Sequence, residues 1–131
     1  MYSKVFIVDD DEISVFLTET LLEIVQFTQS CIGFSCATHA IAEIISAVTD
    51  KAYQKLPDII FLDLNMPHMS GWDFLDRLLP YEEELLSKCQ IYILTSSVDQ
   101  VDMDKAQKYK VVSGFLQKPL DEEIIKRISN S

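Results

Sequence analysis

The chain has 131 residues, 48% of them hydrophobic, with 11 Lys and Arg set against 21 Asp and Glu for a formal charge of −10. That length supports a single core, so residues 1–131 are expected to form one domain, while the acidic excess argues against direct binding to nucleic-acid phosphates. No apolar run approaches a membrane span and no basic stretch leads into one at the N-terminus, which places the chain in the cytoplasm by default.

Short apolar runs alternate with helical spacing along the whole chain. Val5-Phe6-Ile7-Val8 predicts a first strand, and Ile13, Phe16, Leu17, Leu21 and Ile24 recur as the buried stripe of a first helix. Cys31 to Ser35 gives a weaker second strand. Ile41, Ile44, Ile45 and Val48 mark a second helix, with Thr38 as its expected N-cap. Ile59 to Leu62 is apolar at consecutive positions, as a central parallel strand covered on both faces requires. Trp72, Leu75, Leu78 and Leu79 form the next helix face, ended or kinked by Pro80. Ile91 to Leu94 is the fourth strand, and residues 98–109 are helical but loosely periodic, with Ser96 or Ser97 as the expected cap. Gly114-Phe115-Leu116 belongs to a short fifth strand, and Ile124, Ile125 and Ile128 line a last helix.

Five strands alternating with five helices predict a doubly wound α/β fold, three layers deep, with a parallel sheet in the flavodoxin-like order 2-1-3-4-5. Cys31, Cys36 and Cys89 show no metal-type or redox spacing and read as reduced packing residues. His39 and His68 are isolated and expected at the surface.

In this fold class a ligand site lies beyond the carboxyl ends of the strands, where strand order reverses. Asp9, Asp10 and Asp11 follow strand one, Asp63 follows strand three, Thr95 and two serines follow strand four, and Lys118-Pro119 follows strand five. Taken singly, each is ordinary cap or turn chemistry. Taken together they put acids, a hydroxyl and an amine on one rim. Like charges about 4 Å apart repel by about 4 kcal/mol at an effective dielectric near 20, so such acids protonate or bind a cation. Hard oxygen ligands favour Mg²⁺, with Mn²⁺ or Ca²⁺ next. Beside a metal and a lysine, a carboxylate is suited to accept a phosphoryl group.

The stretches "VFIVDDDE", "DIIFLDLNMPHMSG", "ILTSS" and "GFLQKPL", in that order, resemble the receiver domain of two-component response regulators across essentially the whole chain. The resemblance implies that Asp63 is the phosphorylated aspartate. It makes Asp9 and Asp10 the acidic pair that holds Mg²⁺, with Mn²⁺ as a substitute, and Asn65 the source of a backbone carbonyl ligand. Thr95 matches the switch hydroxyl, Lys118 the phosphoryl-contacting lysine and Phe115 the switch aromatic. Lys118–Pro119 resembles the family's cis peptide. Asp11 matches no family ligand and is expected to start a helix. Ser70 stands where an acidic residue is common. Asn65 and Ser97 sit where the family tunes phosphate loss.

The implied partners are a sensor histidine kinase or a histidine phosphotransfer protein, and a downstream protein on the face of the fourth helix, fifth strand and fifth helix. With no output module after the last helix, a stand-alone regulator is expected. Its self-phosphorylation from small phosphodonors and slow self-dephosphorylation would not make it an enzyme. The competing expectation is an adaptor of the same fold that binds its partner constitutively. A haloacid-dehalogenase-type phosphatase is disfavoured by the missing glycine and threonine after the first acids.

Overall fold

In a computed structural model, the described residues are 1–96 and 98–130. Five parallel strands, β1 (Val5–Val8), β2 (Cys31–Phe34), β3 (Ile59–Asp63), β4 (Gln90–Thr95) and β5 (Val112–Gln117), run in the order β2-β1-β3-β4-β5. The helices are α1 (Glu12–Ile24), α2 (Ala37–Thr49), α3 (Gly71–Leu78), α4 (Glu82–Leu86), α5 (Gln100–Ala106) and α6 (Glu122–Ser129). The five expected helices are all present. The addition, α4, is a five-residue segment reached from α3 through a 3₁₀ turn over Leu79–Tyr81 that contains Pro80. The fourth and fifth helices of the sequence reading are therefore α5 and α6. Among the described residues no helix is long and apolar enough to cross a membrane.

The central strands bury both faces, and alternation divides their side chains between two cores. Phe6, Val8, Ile60, Leu62, Ile91 and Ile93 point toward α2 and α3. Val5, Ile7, Ile59, Phe61 and Leu94 point toward Leu22 of α1 and Ile125 of α6. Each such side chain contributes about 1.5–3 kcal/mol on burial. All five β3 residues are buried, Asp63 included. Register then fixes the rim: Val8 lies level with Leu62, Asp63 with Leu94, and Thr95 with Gln117.

Three local expectations fail. In α1 the core-facing positions are Thr18 and Leu22, while Ile13, Phe16, Leu17 and Ile24 are 71%, 65%, 58% and 65% exposed. This helix is apolar on more than one side, so spacing alone could not choose between its stripes. Packing chose the stripe that brings Val15 and Glu19 against Gly33, where a Cβ would stand 2.6 Å from Val15 Cγ1. The N-cap of α2 is Cys36, not Thr38, and its side chain makes no cap hydrogen bond. The N-cap of α5 is Asp99, which accepts from the Val101 N–H, rather than Ser96; Ser97 lies outside the described residues.

The two long connections pack against each other before β3 and β4. Tyr53 donates to Glu84 at 2.9 Å and Lys88 Nζ lies 4.4 Å from the Tyr53 ring centre.

Candidate functional site

Each strand end delivers its side chain by ordinary backbone bonding. The Asp9 N–H donates to Phe34 O at 3.1 Å, extending the β1–β2 ladder one residue, and the Asp11 N–H donates to Asp9 Oδ1 at 3.0 Å. Asp11 starts α1, as expected, accepting from the N–H groups of Ile13 and Ser14. Buried Leu64 and Met66 flank exposed Asn65, which pins the loop after Asp63. That loop closes where the Gly71 N–H donates to Leu64 O at 3.0 Å, and a capping box between Ser70 and Asp73 fixes the first turn of α3. On the far side the Lys118 N–H donates to Thr95 O at 2.7 Å, and the Lys118–Pro119 peptide is cis.

These ends converge. The carboxylates of Asp9, Asp10 and Asp63 each offer an oxygen within 4.8 Å of the others; Asp9 and Asp63 are buried and Asp10 is exposed. Lys118 Nζ reaches Asp9 Oδ2 at 2.7 Å and Asp63 Oδ1 at 3.5 Å. Thr95, the next rim residue, is buried. Burial and then the Asp9 charge push the Asp63 carboxyl above its ordinary value, while Lys118 and the Asn65 N–H pull it back only in part. For Lys118, burial acts to lower the ammonium. The hydrogen bond and charge of Asp9, then Asp63, outweigh it and hold the group above the usual lysine range. Three carboxylates against one ammonium leave a negative pocket open to water through Asp10. The donors are all hard oxygens on one open side, which fits a hydrated divalent cation such as Mg²⁺.

A sequence profile described as the response regulator receiver domain matches residues 5–129. The chain belongs to the response regulator receiver family. It is similar to a two-component response regulator of Cytophaga hutchinsonii, with 26% identity and a TM-score of 0.85 over 98% of this chain and 95% of that one. A receiver domain of the histidine kinase CKI1 of Arabidopsis thaliana, solved with Mg²⁺, shares the fold at 21% identity and a TM-score of 0.79, over 96% of this chain and 91% of that one. Hybrid signal transduction histidine kinase C of Dictyostelium discoideum is 32% identical over 84 residues, 64% of this chain; the match spans only 6% of that kinase.

Receiver domains act in two-component signalling as phosphoacceptors rather than classical enzymes, meet histidine kinases or phosphotransfer proteins, and bind Mg²⁺ at an acidic pocket. In this receiver Asp9, Asp10, Asp63, Thr95 and Lys118 share the rim. Phe115 is half-buried on β5, level with Ile93, and lines a groove with Met103 and Ala106 of α5. His39 and His68 are exposed, and all three cysteines are free thiols. Burial pushes the Cys31 and Cys89 thiols up to about 12, which suits inert packing residues, whereas Cys36 is exposed and is not the packing residue expected. Sequence reading missed the exposed apolar side of α1. A second groove runs from it, between Ile13, Leu17 and Leu21 on one side and Lys118, Pro119 and Leu120 on the other. The excess of apolar residues in α1 over one stripe was the available signal.

Proposed function

We propose that this chain acts in the cytoplasm, that Asp63 accepts a phosphoryl group from a phosphohistidine of a sensor histidine kinase or histidine phosphotransfer protein, and that the modified chain signals by changed protein binding. The observation that carries this reading is the Lys118 ammonium spanning Asp9 and Asp63 at 2.7 and 3.5 Å. An Asp63 oxygen attacks phosphorus, the histidine N–P bond breaks, its electron pair stays on the imidazole, and an acyl phosphate forms. Desolvation leaves that carboxylate more basic than an ordinary aspartate, which favours attack. Asp9, Asp10, Asp63 and the Asn65 carbonyl would hold Mg²⁺, which neutralises charge on the transferred group. Lys118 supplies a second positive charge, already within a small movement of the new phosphoryl oxygens. Thr95 supplies a hydroxyl, and Phe115 and α5 respond to its movement, so that the α5–β5–α6 face reports the modification.

Calorimetry with Mg²⁺ and beryllofluoride, a phosphoryl mimic, is expected to show one site per chain that a chelator abolishes. Absence of that heat, with Mg²⁺ binding shown separately, refutes the reading.

We assign the donor's docking site to α1. Ile13, Phe16, Leu17 and Ile24 are exposed, and the groove beside Leu17 runs to Lys118 at the Asp63 rim. A donor that presents its histidine to Asp63 covers this side, and an apolar helix face suits the stripe. Phe16→Ser is expected to slow transfer about tenfold or more from a purified phosphotransfer protein that phosphorylates the wild type. Phosphorylation by acetyl phosphate should be unchanged. Equal transfer rates would move the docking site elsewhere.

A further inference from the structure

α5 is weakly anchored along its own length. Of its seven residues only Ala106 is buried, and Val101 and Met103 are 74% and 37% exposed. Its hold lies at the C-terminal end, in two pairs of side chains spaced four apart. Trp72 and Asp76 share one side of α3; Lys105 and Tyr109 project from α5 and the turn after it. The Tyr109 ring stacks on Trp72 with centroids 6.0 Å apart and planes 28° apart. Its hydroxyl donates to Asp76 Oδ1 at 2.6 Å, and Lys105 Nζ lies 4.6 Å from the Trp72 ring centre. Burial, then the Asp76 carboxylate, pushes the Tyr109 phenol up to about 12, so its proton stays available for this bond at neutral pH.

The other end of this contact reaches Asp63. Trp72 follows Gly71, where a Cβ would stand 2.8 Å from Asp63 O and 2.9 Å from Leu64 Cα. Both obstacles are backbone, so only glycine lets α3 begin against the segment that carries the acid. A path of direct contacts therefore runs from the Asp63 backbone through the first turn of α3 to Tyr109, on the face of the sheet that Phe115 also packs against.

We propose that Trp72, Asp76, Lys105 and Tyr109 form a latch that holds α5 against α3 in the unmodified protein and sets how readily the α5–β5 face rearranges when Asp63 is modified. The regulatory half rests on the phosphoacceptor reading; the latch itself does not. Breaking the latch removes contacts made in the resting arrangement, so the population shifts toward the rearranged one. A ligand that favours the latter then binds more tightly.

The test is hydrogen exchange on the full chain without phosphodonor or metal, followed by Mg²⁺-beryllofluoride titration. Tyr109→Phe keeps the ring and deletes the bond to Asp76. It is expected to speed exchange of amides 100–109 about tenfold while leaving β1 and β3 unchanged, and to tighten beryllofluoride binding several-fold. Trp72→Leu should do the same, and the double variant should add little to either single one, because both break one unit. Unchanged exchange in Tyr109→Phe overturns the latch. Faster exchange with unchanged beryllofluoride affinity reduces it to a structural contact and overturns its regulatory role. Failure of the wild type to bind beryllofluoride instead overturns the reading of Asp63, and is recognised by normal exchange results beside it.

Discussion

Lys118→Ala is expected to slow phosphorylation by acetyl phosphate and Mg²⁺ roughly 100-fold, the usual cost of removing one preorganised charge from a transition state. The same change exposes what the lysine does at rest. Its ammonium is the cation bridging Asp9 and Asp63, both buried. Without it, three carboxylates within 4.8 Å face one another. In chelator, urea unfolding should show a loss of about 2 kcal/mol. That is below the ~3–5 kcal/mol of a fully buried broken pair, because the Lys118 side chain is 21% exposed and truncation admits water. The ammonium is held above its ordinary value, so its contribution is complete at neutral pH and is lost only as pH rises through that raised value. Millimolar Mg²⁺ should close most of the stability gap, since a divalent cation screens the same oxygens, but should not restore the rate. Equal rates for variant and wild type would remove Lys118 from the chemistry.

The sheet and its rim were legible in the sequence because both follow from period and position. Ile59 to Leu62 could be apolar at every position only by facing two helical layers, and both cores confirm that it does. An acid closing such a strand had to lie at the carboxyl end, and parallel register then carried Asp9 to the level of Asp63, with Thr95 one position beyond. The face of α1 was not legible: with apolar side chains on several sides, the choice depended on the space left by Gly33 across the sheet edge. The caps of α2 and α5 were misplaced by two or three residues, because several polar residues near each start compete for the role. Nothing local joins Tyr109 to Asp76, 33 positions away, so that bond belongs to tertiary packing alone.

Asp63→Asn carries the second large effect, and it has two opposite signs. The Asp63 carboxyl is raised in the fold, chiefly by burial and then by Asp9, so the protein is more stable with it uncharged. For a raised acid, the stabilising contribution is complete below the unfolded value and lost as pH rises through the folded one. At neutral pH in chelator the ionised group is therefore a net cost. The near-isosteric amide should raise the melting temperature by a few degrees there, with the advantage shrinking toward pH 4. The variant gains stability and loses the nucleophile.

That loss gives the most direct measurement: intact mass of wild type and Asp63→Asn after incubation with Mg²⁺ and acetyl phosphate. The wild type should gain a single phosphate, reversed by hydroxylamine as an acyl phosphate is, and the variant should gain none. An adduct of equal yield and stability on both proteins would contradict the account.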